Sequence, residues 1–431
     1  MIIHIVQPGE TIYTIANNYN VSITRLIVEN GLTNPEHLVV GQTIVIAYPE
    51  EVYIVQEGDT LESIARAHGV TRMQLLRNNP FLSGRDVIYQ GESIVIRYDT
   101  QGSVTLNAYA YPFIDRDILR KTLPFLTYLT IFNYRTIRAG VLEGSDETEV
   151  IQIAKDYGVA PLMSLSTLTY QGRNDIEAIN SVLHNEESIE LQADAILSIL
   201  RAKQYYGLNI SLVNLDQESL PAYENYMAKV YSRLKEEGYM LMITITPKII
   251  VSPNQISFEK MDYTVLGQLS DYLQIISYGW GTIAGPPSAT TPAFLTELAL
   301  EDAVTMIPPE KLFSGISIIG YDWQSPYIIG VTRANALTTD AAIQLAAQTG
   351  STIMFEERSQ APYFEYYMTL AGRNIRHIVW FSDARTIDSL IRFIPEFGIQ
   401  GAGIWNIMNY FAQMWLVINS QYKINKVLPE F

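Results

Sequence analysis

Hydrophobic and polar positions in the first hundred residues follow a pattern that occurs twice. The stretch IVQPGET at 5–11 returns as IVQEGDT at 54–60, and strand-like runs follow at 41–46 (GQTIVI) and 91–96 (GESIVI). Between them, apolar residues recur at helical spacing, as at Ile12, Ile15 and Ala16 in the first copy. Each copy is therefore predicted to form a strand, a glycine turn, two helices and a closing strand, a βααβ unit.

After a polar joint at 98–104, apolar strand-like runs alternate with amphipathic helical stretches. The runs are Leu106–Tyr111, Leu126–Phe132, Ala160–Ser166, Ile210–Glu218, Met240–Pro247, Tyr272–Trp280, Leu312–Tyr321 and Ala402–Met408. This rhythm predicts an α/β fold, a (β/α)8 TIM barrel, with a small α+β insertion between strands 7 and 8. The predicted domains are two small βααβ units at 1–48 and 50–98 and a barrel at 104–431, with its insertion at about 345–385.

Composition narrows the classes of partner. A formal net charge of -16 argues against nucleic acid and anionic membrane, whereas 28 Tyr supply side chains that can stack on sugars. The chain has 0 Cys, which excludes disulfides and thiolate metal sites, and its 5 His show no metal spacing, so we expect no cofactor. The start, MIIHIVQPGE, lacks a signal-peptide pattern, so synthesis in a cytoplasm is expected. We also expect the protein to be a monomer.

Candidate chemistry lies at the end of the fourth apolar run. In ISLVNLDQES at 210–219, Asn214, Asp216 and Glu218 occupy alternate positions. If the strand continues that far, these three side chains point to one side. The carboxyl ends of parallel barrel strands are where chemistry occurs, so this stretch is the candidate site.

The repeated unit closely resembles the LysM module, which binds N-acetylglucosamine-containing polymers, either peptidoglycan or chitin. In that family the sugar lies between the first strand–helix loop and the second helix–strand loop. The resemblance implies these sugar-binding residues: Gly9, Glu10, Thr11 and Asn30 in the first copy, and Gly58, Asp59, Thr60 and Asn79 in the second. The alternative is that the Gly, acidic and Thr residues only form turns and helix caps.

The barrel half resembles family-18 glycoside hydrolases, whose fourth-strand signature is D-x-x-D-x-D-x-E. The same spacing here reads Ser211, Asn214, Asp216 and Glu218. A closer match is to LysM-bearing spore-cortex-lytic N-acetylglucosaminidases of endospore-forming bacteria, with the signature [IV]-[NH]-[IF]-D-F-E against 213–218. Further landmarks follow in order: TPK at 246–248, SYGW at 277–280, GPP at 285–287, GYDW at 320–323, APYF at 361–364, WFSDAR at 380–385 and GIW at 403–405.

This resemblance implies substrate-assisted retaining hydrolysis, in which the sugar's acetamido carbonyl attacks the anomeric carbon. Glu218 would protonate the leaving oxygen, Asp216 would raise the pKa of Glu218 and hold the acetamido N–H, and Tyr278 would donate to the acetamido oxygen. Trp405 would form the floor under the cleaved sugar. The other substrate-binding residues implied are Asn214, Trp280, Tyr321 and Asp322.

The chain departs from the signature, and a second alignment exists. Ser211 replaces the first Asp, Gln217 replaces an aromatic residue, and Gly279 replaces an acid on the sixth strand. Alternatively, 207–213 (GLNISLV) aligns with G-x-[DN]-x-D-x-E, which puts Val213 at the acid's position and preserves the spacing to Tyr223. The first alignment is preferred because it explains Asp216 and Glu218.

Three functions follow from these patterns. The first is an N-acetylglucosaminidase that cleaves peptidoglycan, spore cortex in particular, and is held on the polymer by its LysM modules. The second is a non-hydrolytic, lectin-like coat protein, and the third is a chitinase. With no signal peptide, assembly into the spore from the mother cell is expected.

Overall fold

The computed structural model describes residues 1–85, 87–166, 175–212, 215–252, 255–279, 283–328, 330–370 and 372–430. The first module pairs strands Ile2–Ile5 and Thr43–Ile46 around helices Ile12–Tyr19 and Ile23–Asn30. The second pairs Pro49–Ile54 and Ser93–Tyr98 around helices Leu61–His68 and Arg72–Asn78 and a short 3-10 turn, Pro80–Leu82. Both predicted βααβ units are present.

Eight parallel strands close into a barrel, because the first strand pairs with both the second and the eighth. In chain order, the barrel strands are Gly102–Ala110, Tyr128–Thr136, Ala160–Ser166, Gly207–Leu212, Met240–Ile245, Tyr272–Ile275, Leu312–Ser317 and Gly401–Trp405. The barrel prediction is confirmed. The fourth strand, however, begins three residues earlier and ends six residues earlier than the run 210–218 predicted.

Helices cover the outside of the barrel, and one large core cluster joins them to the strands. These helices are Arg116–Thr122, Thr148–Asp156, Ile176–Leu183, Glu186–Lys203, Leu220–Glu236, Thr264–Gln268, Ala293–Ala303, Ala384–Phe397 and Ala412–Asn419. Smaller elements are the 3-10 turns Leu123–Phe125 and Pro309–Lys311 and the strands Leu142–Glu143, Ile249–Ser252, Gln255–Phe258 and Tyr422–Ile424. The last of these adds in parallel to the first barrel strand.

An α+β insertion separates the seventh and eighth barrel strands, as predicted, but it begins earlier. Its antiparallel sheet has strands Gly320–Gln324, Asn335–Leu337, Met354–Glu356, Ala361–Leu370 and Arg373–Trp380, and its helix is Thr339–Thr349. The apolar run predicted as one barrel strand, 312–321, therefore divides between the seventh barrel strand and this sheet.

Both modules pack against the barrel. Val45 and Ala47 of the first module and Val95 and Tyr98 of the second belong to the barrel's own core cluster. Gln413, on the last barrel helix, donates to the carbonyl of Thr43 and to the side chain of Asn30. Among the residues that the structure describes, no helix is both long and apolar enough to cross a membrane.

Candidate functional site

Aromatic side chains gather at the carboxyl ends of the first, second and eighth barrel strands. The ring of Trp405 lies 5.5 Å from that of Tyr109, 6.2 Å from Tyr111 and 5.3 Å from Phe132, between ring centroids. The structure thus places Trp405 at the barrel mouth, where the sequence predicts a sugar platform. Such a surface suits the apolar face of a pyranose ring.

A cleft of about 480 Å³ opens beside these aromatic residues, between the barrel mouth and the insertion. Its walls include Tyr111, Phe113 and Asn406 from the barrel side and Asp340 from the insertion. A cleft of this size, with apolar walls and a few polar groups, is typical of sites for small ligands. Asp340 is exposed at the edge of the cleft, and partial desolvation by the nearby walls raises the pKa of its carboxyl above the ordinary value.

Tyr278 follows the sixth barrel strand and lies against Gly315 of the seventh. A Cβ added to Gly315 would come within 2.9 Å of Tyr278 Cε1, so the absence of a side chain there makes room for the tyrosine ring. Burial, and then the nearby Tyr109, raise the pKa of Tyr278 well above its usual value. Its phenol therefore stays protonated and can act as a hydrogen-bond donor, which is the role the sequence predicts for it.

Below the aromatic layer, the barrel interior holds a neutral polar network centred on Asn209 of the fourth strand. The fully buried Asn209 amide donates to the Tyr109 hydroxyl at 3.0 Å and accepts from the Thr244 hydroxyl at 2.9 Å. Leu208 and Ile210, by contrast, belong to the core cluster shared with the outer helices. Because side chains alternate along a strand, Ser211 shares the interior side with Asn209.

The fourth-strand prediction is wrong for the acidic residues. The strand ends at Leu212, so Asp216 and Glu218 lie in the turn before helix Leu220–Glu236. Glu218 is exposed in that turn. Alternation along the strand does not extend to these two carboxylates, because the strand has already ended. Within the strand, moreover, the odd-numbered residues face the barrel interior, whereas 216 and 218 are even-numbered.

Asp216 has a local role that explains its presence. Its carboxylate accepts the backbone N–H of Ser219 at 2.8 Å, while the Ser219 hydroxyl accepts the N–H of Asp216 at 3.0 Å. These bonds from Ser219, backbone first, hold the pKa of Asp216 below its ordinary value. The pair orders the turn that leads into a helix whose first turn contains Pro221.

The remaining predicted barrel residues fall into two groups. Asn214 and Trp280 lie outside the described residues. Tyr321 and Asp322 lie on the first strand of the insertion sheet, where Asp322 is buried and accepts from Tyr366 at 2.8 Å and contacts His377 at 3.0 Å. These partners hold the Asp322 carboxylate within the insertion sheet, and its contact with substrate stays a prediction.

In the modules, the two asparagines predicted to bind sugar form hydrogen bonds inside the fold. Asn30 is 5% exposed and Asn79 1% exposed. Each side chain bonds the backbone N–H and C=O of the closing strand, at Val45 and Val95 respectively. These internal bonds give both residues a structural role, and their contact with sugar stays a prediction.

The loop residues also have structural roles. Thr11 and Thr60 cap the first helix of their modules. Glu10 and Asp59 accept the backbone N–H of Gln7 and Gln56. Gly9 and Gly58 adopt φ of 84° and 86°, a left-handed conformation that favours glycine, and an added Cβ would meet nothing within 4 Å. These roles agree with the turn-and-cap alternative, and sugar contact by the same loops stays a prediction.

The candidate site residues predicted from the sequence do not include Tyr109 and Tyr111 at the barrel mouth or Asn209 in the interior below it. Tyr109 and Tyr111 alternate in the first strand-like run, and Asn209 precedes Ser211 by two residues. Period-two alternation at the carboxyl end of a buried strand was the available signal. Among the described residues, no group of three or more His, Asp and Glu is arranged to hold a metal ion.

Comparison with known proteins places the chain in a family. The LysM domain model matches residues 4–47 and 53–97, and the model of glycosyl hydrolases family 18 matches residues 154–409. A cortical fragment-lytic enzyme from Bacillus anthracis is 30% identical, over 98% of this chain and 98% of the relative. One from Bacillus subtilis (strain 168) is also 30% identical, over 99% of each chain.

Solved structures agree with this assignment over the full length. The spore cortex-lytic enzyme SleL of Bacillus cereus superimposes with a TM-score of 0.80, at 30% identity and 99% coverage of both chains. SleL of Bacillus megaterium QM B1551 gives 0.80 at 28% identity, also over 99% of both. The two domain types indicate binding of peptidoglycan or another N-acetylglucosamine polymer. The chain belongs to family 18 of the glycoside hydrolases, as a full-length homologue of cortical fragment-lytic enzymes with two LysM domains.

Proposed function

We propose that this chain hydrolyses the glycan strands of peptidoglycan, with spore-cortex fragments as substrate and the spore as its site of action. The observation that carries this proposal is the aromatic mouth around Trp405, which adjoins a cleft of about 480 Å³. The full-length similarity to cortical fragment-lytic enzymes supports the choice of polymer. The cleaved sugar would stack on Trp405, and the protonated Tyr278 would donate to its acetamido oxygen.

Hydrolysis by this route needs a proton donor at the bridging oxygen. Glu218, the donor that the resemblance implies, is exposed in the turn before helix Leu220–Glu236. Asp340 is exposed as well, but among the described residues that line the cleft it supplies the carboxyl group, and partial desolvation raises the pKa of that carboxyl above its ordinary value. Asp340 is therefore the donor that the geometry favours.

The test is mass analysis of purified cortex fragments after incubation with the full chain. We expect new N-acetylglucosamine reducing ends from the wild type and from Glu218→Gln. Asp340→Asn should lower the rate by about 100-fold or more, the usual contribution of a general acid. A wild-type digest without new reducing ends would overturn the hydrolytic proposal. Loss of activity in Glu218→Gln would instead identify Glu218 as the proton donor. Parallel digests of chitin oligomers separate this activity from that of a chitinase.

A second candidate function, retention of the glycan without cleavage, is favoured by one specific observation. The described interior positions of the fourth strand, Asn209 and Ser211, are neutral, and the network around Asn209 is neutral as well. A barrel mouth with aromatic walls and no acid on this strand would bind sugar as a lectin does. Wild-type protein that sediments with cortex fragments but releases no ends would establish this function.

A further inference from the structure

The two LysM modules have the same fold but different surroundings at the loop before the closing strand. In both, the turn glycine of that loop donates its N–H to the residue after the first strand, from Gly41 to Val6 at 2.9 Å and from Gly91 to Val55 at 2.8 Å. These bonds join the two loops between which a sugar is expected to lie. A ligand can reach a groove only where the surroundings of this loop leave it open.

The barrel insertion covers the groove of the first module. Val39, two residues before the turn glycine, is 6% exposed and packs with Ile353 and Phe364 of the insertion. The N–H of Ile353 donates to the carbonyl of Val40 at 2.9 Å, and a Cβ added to Gly41 would lie 2.0 Å from the carbonyl oxygen of Ile353. Protein atoms thus occupy the space that a ligand of this loop would need.

The equivalent loop of the second module is open. Tyr89 replaces Val39 and is 61% exposed, and the neighbouring Val87 is 58% exposed. A Cβ added to Gly91 would meet nothing within 4 Å. Tyr89 and Val87 therefore expose apolar surface close together, and exposed apolar surface can form a binding site.

The loop around Tyr89 is also ordered by its own contacts. The backbone N–H of Tyr89 donates to the Glu92 carboxylate at 2.9 Å, and Arg85 donates to the same carboxylate at 2.8 Å. The Arg85 guanidinium lies 5.2 Å from the centre of the Tyr89 ring. The ring is therefore held in place beside a charged pair, a combination that can stack on a pyranose face and bond its hydroxyl and acetamido groups.

We propose that, of the two LysM modules, only the second binds the glycan, with Tyr89 as its stacking platform, and that the first module is a docking element of the barrel. The proposal takes its ligand, an N-acetylglucosamine polymer, from the proposed function. It does not depend on whether the barrel cleaves that polymer. The functional unit is then one barrel mouth and one module groove acting on the same strand.

The experiment is co-sedimentation of the full chain with purified cortex peptidoglycan and, separately, with insoluble chitin. Tyr89→Ala should raise the half-saturating concentration roughly five- to thirty-fold, the effect of losing an aromatic anchor. Tyr89→Phe should bind like the wild type, because it keeps the ring. The matched control in the first module is Tyr13→Ala, at a residue 54% exposed, and it should stay within about twofold of the wild type.

Three results would overturn the proposal: unchanged binding by Tyr89→Ala, an equal loss in Tyr13→Ala, or no sedimentation of the wild type. The third would also remove the glycan ligand from the proposed function, whereas the first two would leave that function intact. Reducing ends measured in the same tubes report cleavage separately. A chain that sediments through Tyr89 without releasing ends supports this proposal while it contradicts hydrolysis.

Discussion

At the scale of single residues, Asp216 and Ser219 show how residues that order a turn can match the spacing of a catalytic motif. Asp216 and Ser219 exchange hydrogen bonds, and Pro221 follows in the first turn of the helix. An Asp three residues before a Ser, followed closely by Pro, is a helix-start pattern. The same letters also satisfy D-x-E, so local order explains Asp216 without any contact with substrate.

Acidic substitutions at positions 211 and 213 test which of the two signature alignments is right, the one that ends at Glu218 or the one that ends at Val213. Ser211 follows Asn209 on that side, and the second alignment puts Val213, which lies outside the described residues, at the acid's position. We expect Ser211→Asp combined with Val213→Glu to raise the release of reducing ends from cortex fragments at least about tenfold, because the second alignment gives position 213 the role of the general acid.

The control for this prediction is Ser211→Asp alone, which adds charge but no donor and should release no more ends than the wild type. A double variant that folds and binds cortex yet gains no activity would contradict the second alignment.

The hydrogen bonds of Asn79 inside the second module give a second prediction at this scale. Asn79→Ala would leave the N–H and C=O of Val95 without their side-chain partner inside the module, at a cost of about 2 to 3 kcal/mol in the free energy of unfolding. Urea unfolding followed by circular dichroism measures this cost. The exposed Asn18 on the first helix supplies the control, since Asn18→Ala should change stability by less than about 0.5 kcal/mol. A loss of glycan affinity without a loss of stability would show that Asn79 contacts sugar after all.

At the scale of elements, the sequence predicted the existence of strands better than their ends. Barrel strands are buried on both faces and so give continuous apolar runs, as at Ala160–Ser166, whose bounds agree. Where such a run continues into a loop or cap, as after Leu212, hydrophobicity cannot mark the end of the strand. The register that separates Asn209 from Leu208 depends on pairing with neighbouring strands, which is information outside the local sequence.

The carboxyl-terminal segment is an element whose contribution we expect to depend on pH. Burial opposes ionisation of Glu430, but Arg77 of the second module and Lys426 outweigh it, so the pKa of Glu430 lies below its ordinary value. A lowered folded-state pKa contributes stability above the unfolded pKa, and this contribution is lost as the pH falls through the folded pKa.

Glu430→Gln should therefore lower the free energy of unfolding by about 3 kcal/mol at pH 7, because it leaves buried cations without their counter-charge. The difference from the wild type should shrink as the pH falls below about 4.5, where the wild-type carboxyl also becomes protonated. Urea denaturation of both proteins at pH 7 and at several acidic pH values measures this difference in the free energy of unfolding. A difference that stays constant across this range would mean that the contact is not ionic.

At the scale of the whole molecule, the modules are part of the barrel's architecture. The repeat and the alternating barrel runs each predicted their own domain, but neither indicated that the two would share a core. That sharing depends on surface complementarity between distant segments, as where Arg385 donates to the carbonyl of Gly41 at 3.3 Å. Packing against the barrel also gives the two repeats different surroundings, because Val39 faces the insertion while Tyr89 faces solvent.

This integration predicts that the first module and the barrel unfold together. The 4%-exposed Gln413 accepts from the Thr43 hydroxyl at 2.8 Å and donates to the Thr43 carbonyl at 2.6 Å and to Asn30 at 3.1 Å. Gln413→Ala removes all three bonds and should cost about 2 to 3 kcal/mol, since the polar partners stay buried. If the domains are coupled, calorimetry will give one transition that moves to lower temperature as a whole. Two separate transitions, with only the smaller one shifted by Gln413→Ala, would instead mean that the first module folds independently. That result would weaken the case for its role as a docking element.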